Sequence, residues 1–469
     1  MSTTSEGMQP EGRWHGLPSG ISSRMLPIRD LVMHILEAGE PSSPLLILLH
    51  GFPELAISWR KIILPLAQSG YHVVAPDQRG YGRTTSILTS TGPIRYEDDL
   101  RPFRMLNLVN DIVALAYALG YKSVAAVIGH DFGSALAAHC ALIRPDLFKS
   151  VVLMSTPFAG PPSLPFDVNK SDRGQHEWTA SFAPRMDDAL AALDPPRKHY
   201  TTYFSTPEAN MHMWHAPQGL HSFLRGYFHV KSADWSINDP HPLTACAAAL
   251  ATMPHYYIMP LHATMTEVAQ QNAPTPEEVS RNAWLPDEEL AVYVEEFART
   301  GFQGGLNRYR CLFDKQVSED LTAFAGKRID VPAMYLSGRK DWGVYQSPGA
   351  LDKMQLEACS RMSADDVVLI EGAGHWVQQE QPEQVIYHLK RFLDRSSYCA
   401  PLGITHGCLN SLEFLPCCLP ILIPAVPPLD DSLWEIIFRP ELTSQSELPT
   451  SIVEVRGHNA IAQYEDDHA

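Results

Sequence analysis

Short runs of β-branched and aliphatic residues punctuate the first third of the chain, at Leu45–Leu49, Val73–Ala75, Val124–Ile128 and Val151–Met154. None alternates with polar residues, which predicts strands buried on both faces. Between them the period becomes helical. Leu106 to Leu119 places Leu106, Val109, Val113 and Ala116 on one face, and Gly120 supplies the stop. Such alternation predicts an α/β fold, a mostly parallel sheet with helices on both faces. From about Gly160 to Lys327 the sequence turns rich in Pro, His, Met and Tyr, which predicts an irregular helical stretch without strands. The βα rhythm then resumes with a strand at Val331–Leu336, a helix near Ser347–Leu356, a strand at Val367–Ile370 and a helix from Glu383 to Leu393. One sheet interrupted by a helical insertion accounts for this: an N-terminal segment 1–24, a core of 25–158 and 328–396, and an inserted helical cap domain over 159–327.

Beyond Ser396 the character changes. Residues 401–469 hold ten acids, two bases and eight prolines without periodicity, too polar and too broken to order themselves by burial. The acidic, Pro-rich tail 397–469 is therefore read as dispensable, although Leu433 to Phe438 is apolar enough to dock. Across the whole chain 36 Lys and Arg face 53 Asp and Glu, a net charge of −17. That balance argues against nucleic acid or an anionic membrane as partner and points to a small, uncharged ligand.

Met1 to Trp14 lacks the basic and apolar regions of a secretory signal. The longest apolar run, Phe414 to Leu429, contains five prolines and falls short of the ~20 residues that span a bilayer, so no membrane insertion is expected. Eight cysteines occur without C-x-x-C pairs, four of them at Cys399, Cys408, Cys417 and Cys418. Reduced thiols, a cytoplasmic location and no metal site follow as expectations. The sequon Asn169-Lys170-Ser171 is read as chance.

The chemistry is concentrated in Val127-Ile128-Gly129-His130-Asp131-Phe132-Gly133-Ser134-Ala135, an apolar strand running through Gly-x-Asp-x-Gly into a small-residue helix. This is the setting of a nucleophile elbow. Its central residue is Asp131 in place of serine. A carboxylate needs no base to be nucleophilic at neutral pH, and its attack on carbon leaves an ester. Directly after the strand ending at Leu49 comes His50-Gly51-Phe52-Pro53-Glu54, placed so that the N–H groups of Phe52 and Phe132 could converge on one oxygen of Asp131 as an oxyanion hole. Asp341 and His375 each follow a late strand, at the carboxyl edge where open α/β sheets build sites. The order nucleophile, acid, histidine is that of α/β-hydrolases.

Five stretches together resemble the α/β-hydrolase-fold epoxide hydrolases, a family related to haloalkane dehalogenases, and most nearly its fungal soluble type. They are H-G-F-P-E at 50–54, S-W-R at 58–60, A-P-D-Q-R-G-Y-G at 75–82, G-H-D-F-G at 129–133 and G-A-G-H-W-V-Q-Q-E-Q-P at 372–382. The likeness spans roughly residues 25–395. It implies an α/β-hydrolase fold with a cap, hydrolysis of a small apolar epoxide to a vicinal diol, an Asp131–His375–Asp341 triad, and no metal or organic cofactor. It also implies two cap tyrosines that hydrogen-bond the epoxide oxygen, which map onto Tyr200, with Tyr203 as a rival, and Tyr309. The family's Asn-Trp-Tyr-Arg is here Asn307-Arg308-Tyr309-Arg310, a departure in the pocket wall.

Three other activities fit parts of this pattern. A dehalogenase would want a polar donor just after the nucleophile, which Phe132 does not offer. An epoxide-opening cyclase would use an internal hydroxyl instead of water, and a non-catalytic binder would need none of the polar roles. For the tail, truncation after Ser396 is expected to leave a soluble protein with its turnover intact. An insoluble or inactive product would show the tail to be structural.

Overall fold

The computed structural model describes residues 14, 16–87, 92–164, 182–314 and 319–398. The tail beyond Tyr398, with Leu433–Phe438 and four of the cysteines, lies outside the described residues, as does the sequon at Asn169.

In chain order the strands are β1 (Ser22–Ile28), β2 (Leu31–Ala38), β3 (Leu45–Leu49), β4 (His72–Pro76), β5 (Thr85–Ser86), β6 (Ala126–His130), β7 (Val151–Met154), β8 (Arg197–His199), β9 (Ile258–Pro260), β10 (Ala333–Gly338) and β11 (Val367–Ile370). Among the described residues nine of them form one sheet, in the order β1-β2-β4-β3-β6-β7-β10-β11 with β5 beside β2. From β4 to β11 every pairing is parallel, while β2 runs antiparallel to β1, β4 and β5.

Alternate residues of the central strands feed two separate cores. Leu46, Leu48, Ile128, Val152 and Leu336 point into one, Leu45, Ile47, Leu49, Val127, Val151 and Tyr335 into the other. This is why these runs are apolar throughout. The first core is covered by α1 (Arg60–Ala67) and the C-terminal helix Pro382–Tyr398, and it continues into the insertion through Phe204, Phe223 and Leu306. The second is covered by α2 (Met105–Ala118) and α3 (Phe132–Ile143).

Several boundaries and one class differ from the sequence expectation. The insertion is not free of strands: β8 and β9 pair antiparallel, three residues each, too short to show a period. On α2 the buried stripe is Leu108, Val109, Ile112 and Leu115, with Leu106 and Val113 only half-buried at its rim. The β6 and β10 strands start two residues later than expected, because ladder bonds to neighbours set their limits; Val124 makes only an isolated bridge to Phe148. The helix expected near Ser347–Leu356 starts at Ala350 and becomes a π-turn over Met354–Ala358. The β1–β2 hairpin lies outside the sequence expectation, because its first strand carries three consecutive polar residues, Ser22, Ser23 and Arg24, and no buried residue before Ile28. No helix among the described residues is long and apolar enough to cross a membrane.

A buried ion pair ties the sheet's carboxyl edge together. Glu54, after β3, accepts hydrogen bonds from His130 Nδ1 at 2.6 Å, the Gly51 amide at 3.1 Å, Gln378 at 2.8 Å and Gln379 at 3.2 Å. The other ring nitrogen of His130 donates to the carbonyl of His375 at 2.7 Å. Placed between two acceptors, both ring nitrogens must carry hydrogen, so His130 is an imidazolium. Burial opposes its charge, but the Glu54 carboxylate outweighs burial and raises the ring to about 9. Burial likewise opposes ionisation of Glu54, yet His130 and the Gly51 amide hold it at about 2.

Breaking one member of such a pair strands the other, at a cost of about 3–5 kcal/mol. Glu54→Leu is therefore expected to lower unfolding free energy by that amount near pH 6. The raised histidine contributes fully below 6.5 and is lost as pH rises through about 9, while the depressed carboxyl contributes fully above 4.5 and is lost as pH falls through about 2. Urea titrations across pH should show the difference from wild type largest between 4.5 and 6.5 and shrinking on either side.

Candidate active site

Asp131 stands at the turn between β6 and α3 with φ 55° and ψ −119°, a left-handed conformation uncommon for a residue with a side chain. Its N–H donates to Met154 O at 3.1 Å. The turn is possible only because its neighbours lack side chains. A Cβ on Gly129 would lie 1.9 Å from the Gly133 carbonyl oxygen, and one on Gly133 would lie 2.1 Å from that of Leu49. Across the gap, Gly51 backs directly onto Asp131, where a Cβ would come within 2.3 Å of the aspartate's own. That approach lets the Phe52 N–H donate to Asp131 Oδ1 at 3.0 Å. Phe132 opens α3 immediately after the aspartate, so its amide is among those with no partner inside the helix, but it makes no hydrogen bond to the carboxylate in this state.

The second carboxylate oxygen, Oδ2, lies 3.7 Å from His375 Nε2. On its far side the ring's Nδ1 lies 3.1 Å from Asp341 Oδ1 and 3.0 Å from Ser155 Oγ. Asp341 ends the β10 loop and is itself held by Ser337 Oγ at 3.1 Å and the Gly343 amide at 2.7 Å. Burial works against its ionisation, yet His375, Ser155 and the Gly343 amide keep the carboxyl well below the ordinary range. His375 is pinned at both ends of its backbone: its N–H donates to Lys231 O at 2.8 Å and its carbonyl accepts from His130. Burial first, and the ammonium of Lys231 next, push its ring below the usual imidazole value. Nε2 is therefore neutral, buried, and without a hydrogen-bond partner among the described residues.

Above the carboxylate sit the two tyrosines. Tyr309 lies on the helix Gln303–Phe313, which meets the core backbone to backbone: a Cβ on Gly304 would fall 1.9 Å from Gly80 O. Docked this way, its ring packs on Phe132 (4.5 Å between centroids), Phe204 (4.9 Å), Phe52 (5.6 Å) and Tyr200 (5.8 Å). Tyr200 begins the helix Tyr200–Phe204 straight after β8, and its amide donates to Tyr257 O at 2.8 Å. Its hydroxyl donates to Gln346 Oε1 at 3.2 Å. Tyr200 and Tyr309 meet edge to face, their ring planes inclined at 78°. Burial raises both phenols, keeping them protonated. Tyr203 turns the other way, toward His212 Nδ1 at 3.2 Å.

The structure thus gathers Asp131, His375, Asp341, Tyr200, Tyr309, Phe52 and Phe132 around one point. Sequence reading missed Ser155, which supports Asp341 and His375, and the Glu54–His130 pair. Both pair members lie inside recognised motifs, but a partnership 76 positions apart leaves no sequence signal. His50, the other motif residue, locks the loop by donating to Gly51 O at 2.9 Å and accepting from the Gln78 amide at 3.1 Å. Among the described residues no group of three or more His, Cys, Asp or Glu is arranged to hold a metal ion.

Comparison with known proteins agrees with this geometry. Residues 44–382 match the family model of the alpha/beta hydrolase fold. Epoxide hydrolase A of Mycobacterium tuberculosis is 32% identical over 375 residues, covering 79% of this chain and 97% of that protein. Epoxide hydrolase 3 of Siraitia grosvenorii is 28% identical over 370 residues, covering 77% and 95%. Among solved structures, an epoxide hydrolase from an endophytic Streptomyces superposes with a TM-score of 0.62 at 30% identity, covering 81% of this chain and 97% of that one. Potato epoxide hydrolase I does so with a TM-score of 0.59 at 29% identity, covering 80% and 99%. An aspartate at the nucleophile elbow, a histidine and a second acid behind it, and relatives of this identity and coverage lead to one conclusion: the chain belongs to the epoxide hydrolase family of the α/β-hydrolase fold.

Proposed function

We propose that this chain opens a small epoxide to a vicinal diol through an ester on Asp131, with 159–327 acting as the cap over a core of 25–158 and 328–396. One observation carries the reading: a single carboxylate lies between an amide donor at one oxygen and a neutral imidazole at the other, beneath two buried phenols. Asp131 Oδ2 attacks an epoxide carbon, the carbon–oxygen bond breaks, and the departing alkoxide is stabilised by hydrogen bonds from Tyr309 and Tyr200. The ester's carbonyl oxygen is then Oδ1, already against the Phe52 N–H. His375 Nε2 takes a proton from water, whose oxygen adds to the ester carbon. The N–H groups of Phe52 and Phe132 hold the resulting oxyanion, and Asp341 balances the imidazolium. Collapse breaks the bond between the ester carbon and the alkyl oxygen, which takes the second proton of the water as the Asp131 carboxylate is restored; the His375 proton goes to the alkoxide held by the tyrosines, and the net change is addition of one water. Four unpaired cysteines among the described residues, Cys140, Cys246, Cys311 and Cys359, suit a reducing compartment, and we place the enzyme in the cytoplasm.

The two half-reactions separate experimentally. In a single turnover in heavy-oxygen water the label is expected in the peptide carrying Asp131, and the first-turnover diol should be unlabelled; label in that diol would exclude the ester. His375→Gln is expected to accumulate the adduct, visible by intact mass, while Asp131→Ala forms none.

General acids of this kind supply on the order of 10²–10⁴ in rate. Tyr309→Phe should slow alkylation by on the order of 10²-fold, and combining it with Tyr200→Phe should nearly abolish the step in rapid-quench measurements. Tyr203→Phe is expected to stay near the wild-type rate. A larger loss at Tyr203 than at Tyr200 would move the acid role one helical turn along.

A further inference from the structure

The helix Leu220–Lys231 carries two buried polar groups that the mechanism leaves idle. Lys231 is 3% exposed and Tyr227 is 1% exposed. They are four residues apart, on one helical face. Around the Lys231 ammonium the structure sets aromatic rings: Tyr257 at 4.9 Å, Tyr227 at 5.4 Å, Tyr256 and Trp376 at 5.8 Å, and Tyr200 at 5.9 Å from Nζ to ring centroid. Ring faces attract a cation, but they give its three N–H groups no oxygen to bind. Among the described residues the contacts of Nζ are these rings, and the buried Tyr227 hydroxyl has no hydrogen-bond partner. The neighbouring hydroxyl of Tyr256 is already donated, to Asn238 Oδ1 at 2.6 Å.

Both groups belong to the reaction chamber. The Lys231 carbonyl accepts the His375 N–H at 2.8 Å and its ammonium stands over the Tyr200 ring; burial pushes the ammonium below the usual lysine value, against the opposing charges of Asp131, Asp341 and Glu54. None of the three carboxylates needs the lysine as a contact partner. Asp131 is held by Phe52, Asp341 by Ser337, Gly343 and His375, and Glu54 by His130, Gly51 and two glutamines. A buried ammonium and a buried phenol, adjacent and both idle in the mechanism, make a donor pair for an oxygen anion. Tyr200 fixes its place relative to the chemistry, because that phenol is both a wall of the lysine's cage and a donor to the epoxide oxygen.

Resting on the proposed epoxide hydrolysis, we infer that Lys231 and Tyr227 form a carboxylate subsite, so that the preferred substrate is an epoxy acid whose carboxylate lies a few bonds from the ring. The acidic surface that pointed to an uncharged ligand describes the exterior. Inside, the Lys231 ammonium reverses the local preference, since a buried cation gains most from an anion that reaches it by direct contact.

The test compares a short epoxy acid, its methyl ester and the parent alkyl epoxide at neutral pH. Wild type is expected to favour acid over ester by about tenfold or more in kcat/KM. Lys231→Met should bring that ratio to about one, Lys231→Arg should keep most of it, and Tyr227→Phe should lower it severalfold. Because the ratio is read within each variant, a general loss of activity does not imitate the effect. Equal use of acid and ester by wild type, with diol formed from both, overturns the subsite and leaves epoxide hydrolysis standing. A preference that survives both Lys231→Met and Tyr227→Phe also overturns it. If none of the three compounds gives diol, the hydrolase reading fails for them, and calorimetric titration with a short alkanoate decides the subsite. Heat of binding that wild type shows and Lys231→Met lacks supports it; no binding to wild type ends it. Should Lys231→Met not fold, Tyr227→Phe is put through the same ratio and titration.

Discussion

Everything at the reacting centre depends on how closely three backbone segments can approach one another at the carboxyl edge of the sheet. The end of β3, the turn after β6 and the first residues of α3 meet with no room for a Cβ at Gly51, Gly129 or Gly133. Only this crowding holds Asp131 in its left-handed conformation and sets its carboxylate against the Phe52 amide. The parallel register explains why the segments coincide: β3 pairs with β6 through Leu49 opposite Gly129, so both strands finish at one level. A one-residue slip would also exchange the two cores, since alternate residues of each strand serve different ones. Hydrophobic burial on both faces thus fixes the height at which Asp131 stands.

Charge is distributed by the same frame. His130 and Asp131 are adjacent on the strand end and face opposite ways. The histidine turns into the protein to meet Glu54, and the aspartate turns out toward the pocket. The buried imidazolium then reaches the carbonyl of His375, so the residue beside Asp131 helps place His375. On the other side the insertion supplies the Lys231 carbonyl to the His375 amide and the Lys231 ammonium to its electrostatic surroundings. His375 is consequently held by core and insertion together. Its neutrality comes from burial and a nearby cation, set against a single carboxylate at Nδ1.

Much of this was legible in the chain. Uninterrupted aliphatic runs determined which segments would be interior strands, because a strand buried on both faces cannot carry polar residues. The elbow, the loop after β3 and the late acid and histidine were readable because close backbone approach and strand-end placement impose residue types at fixed local offsets. Tyr309 could be placed from its motif, and Tyr200 likewise with Tyr203 as a rival; the helix Tyr200–Phe204 turns Tyr200 toward Gln346 and the Tyr309 ring and Tyr203 toward His212.

Tertiary structure decided the rest. Partnerships such as Glu54 with His130 and Ser155 with His375 join residues far apart in sequence whose types are unremarkable one at a time, and only the packed sheet makes them neighbours. The β8–β9 pair is too short to have a period, so its hydrogen bonds appear only once the insertion has folded on itself. Lys231 reads in the sequence as an ordinary helix-ending lysine. It becomes a buried cation because five aromatic rings, from its own helix and three other segments, close around it. Local patterns determine what each segment can be, through periodicity and sterics within a few residues. Which charges meet, and which are left without a partner, is set by distances between segments that no local pattern contains.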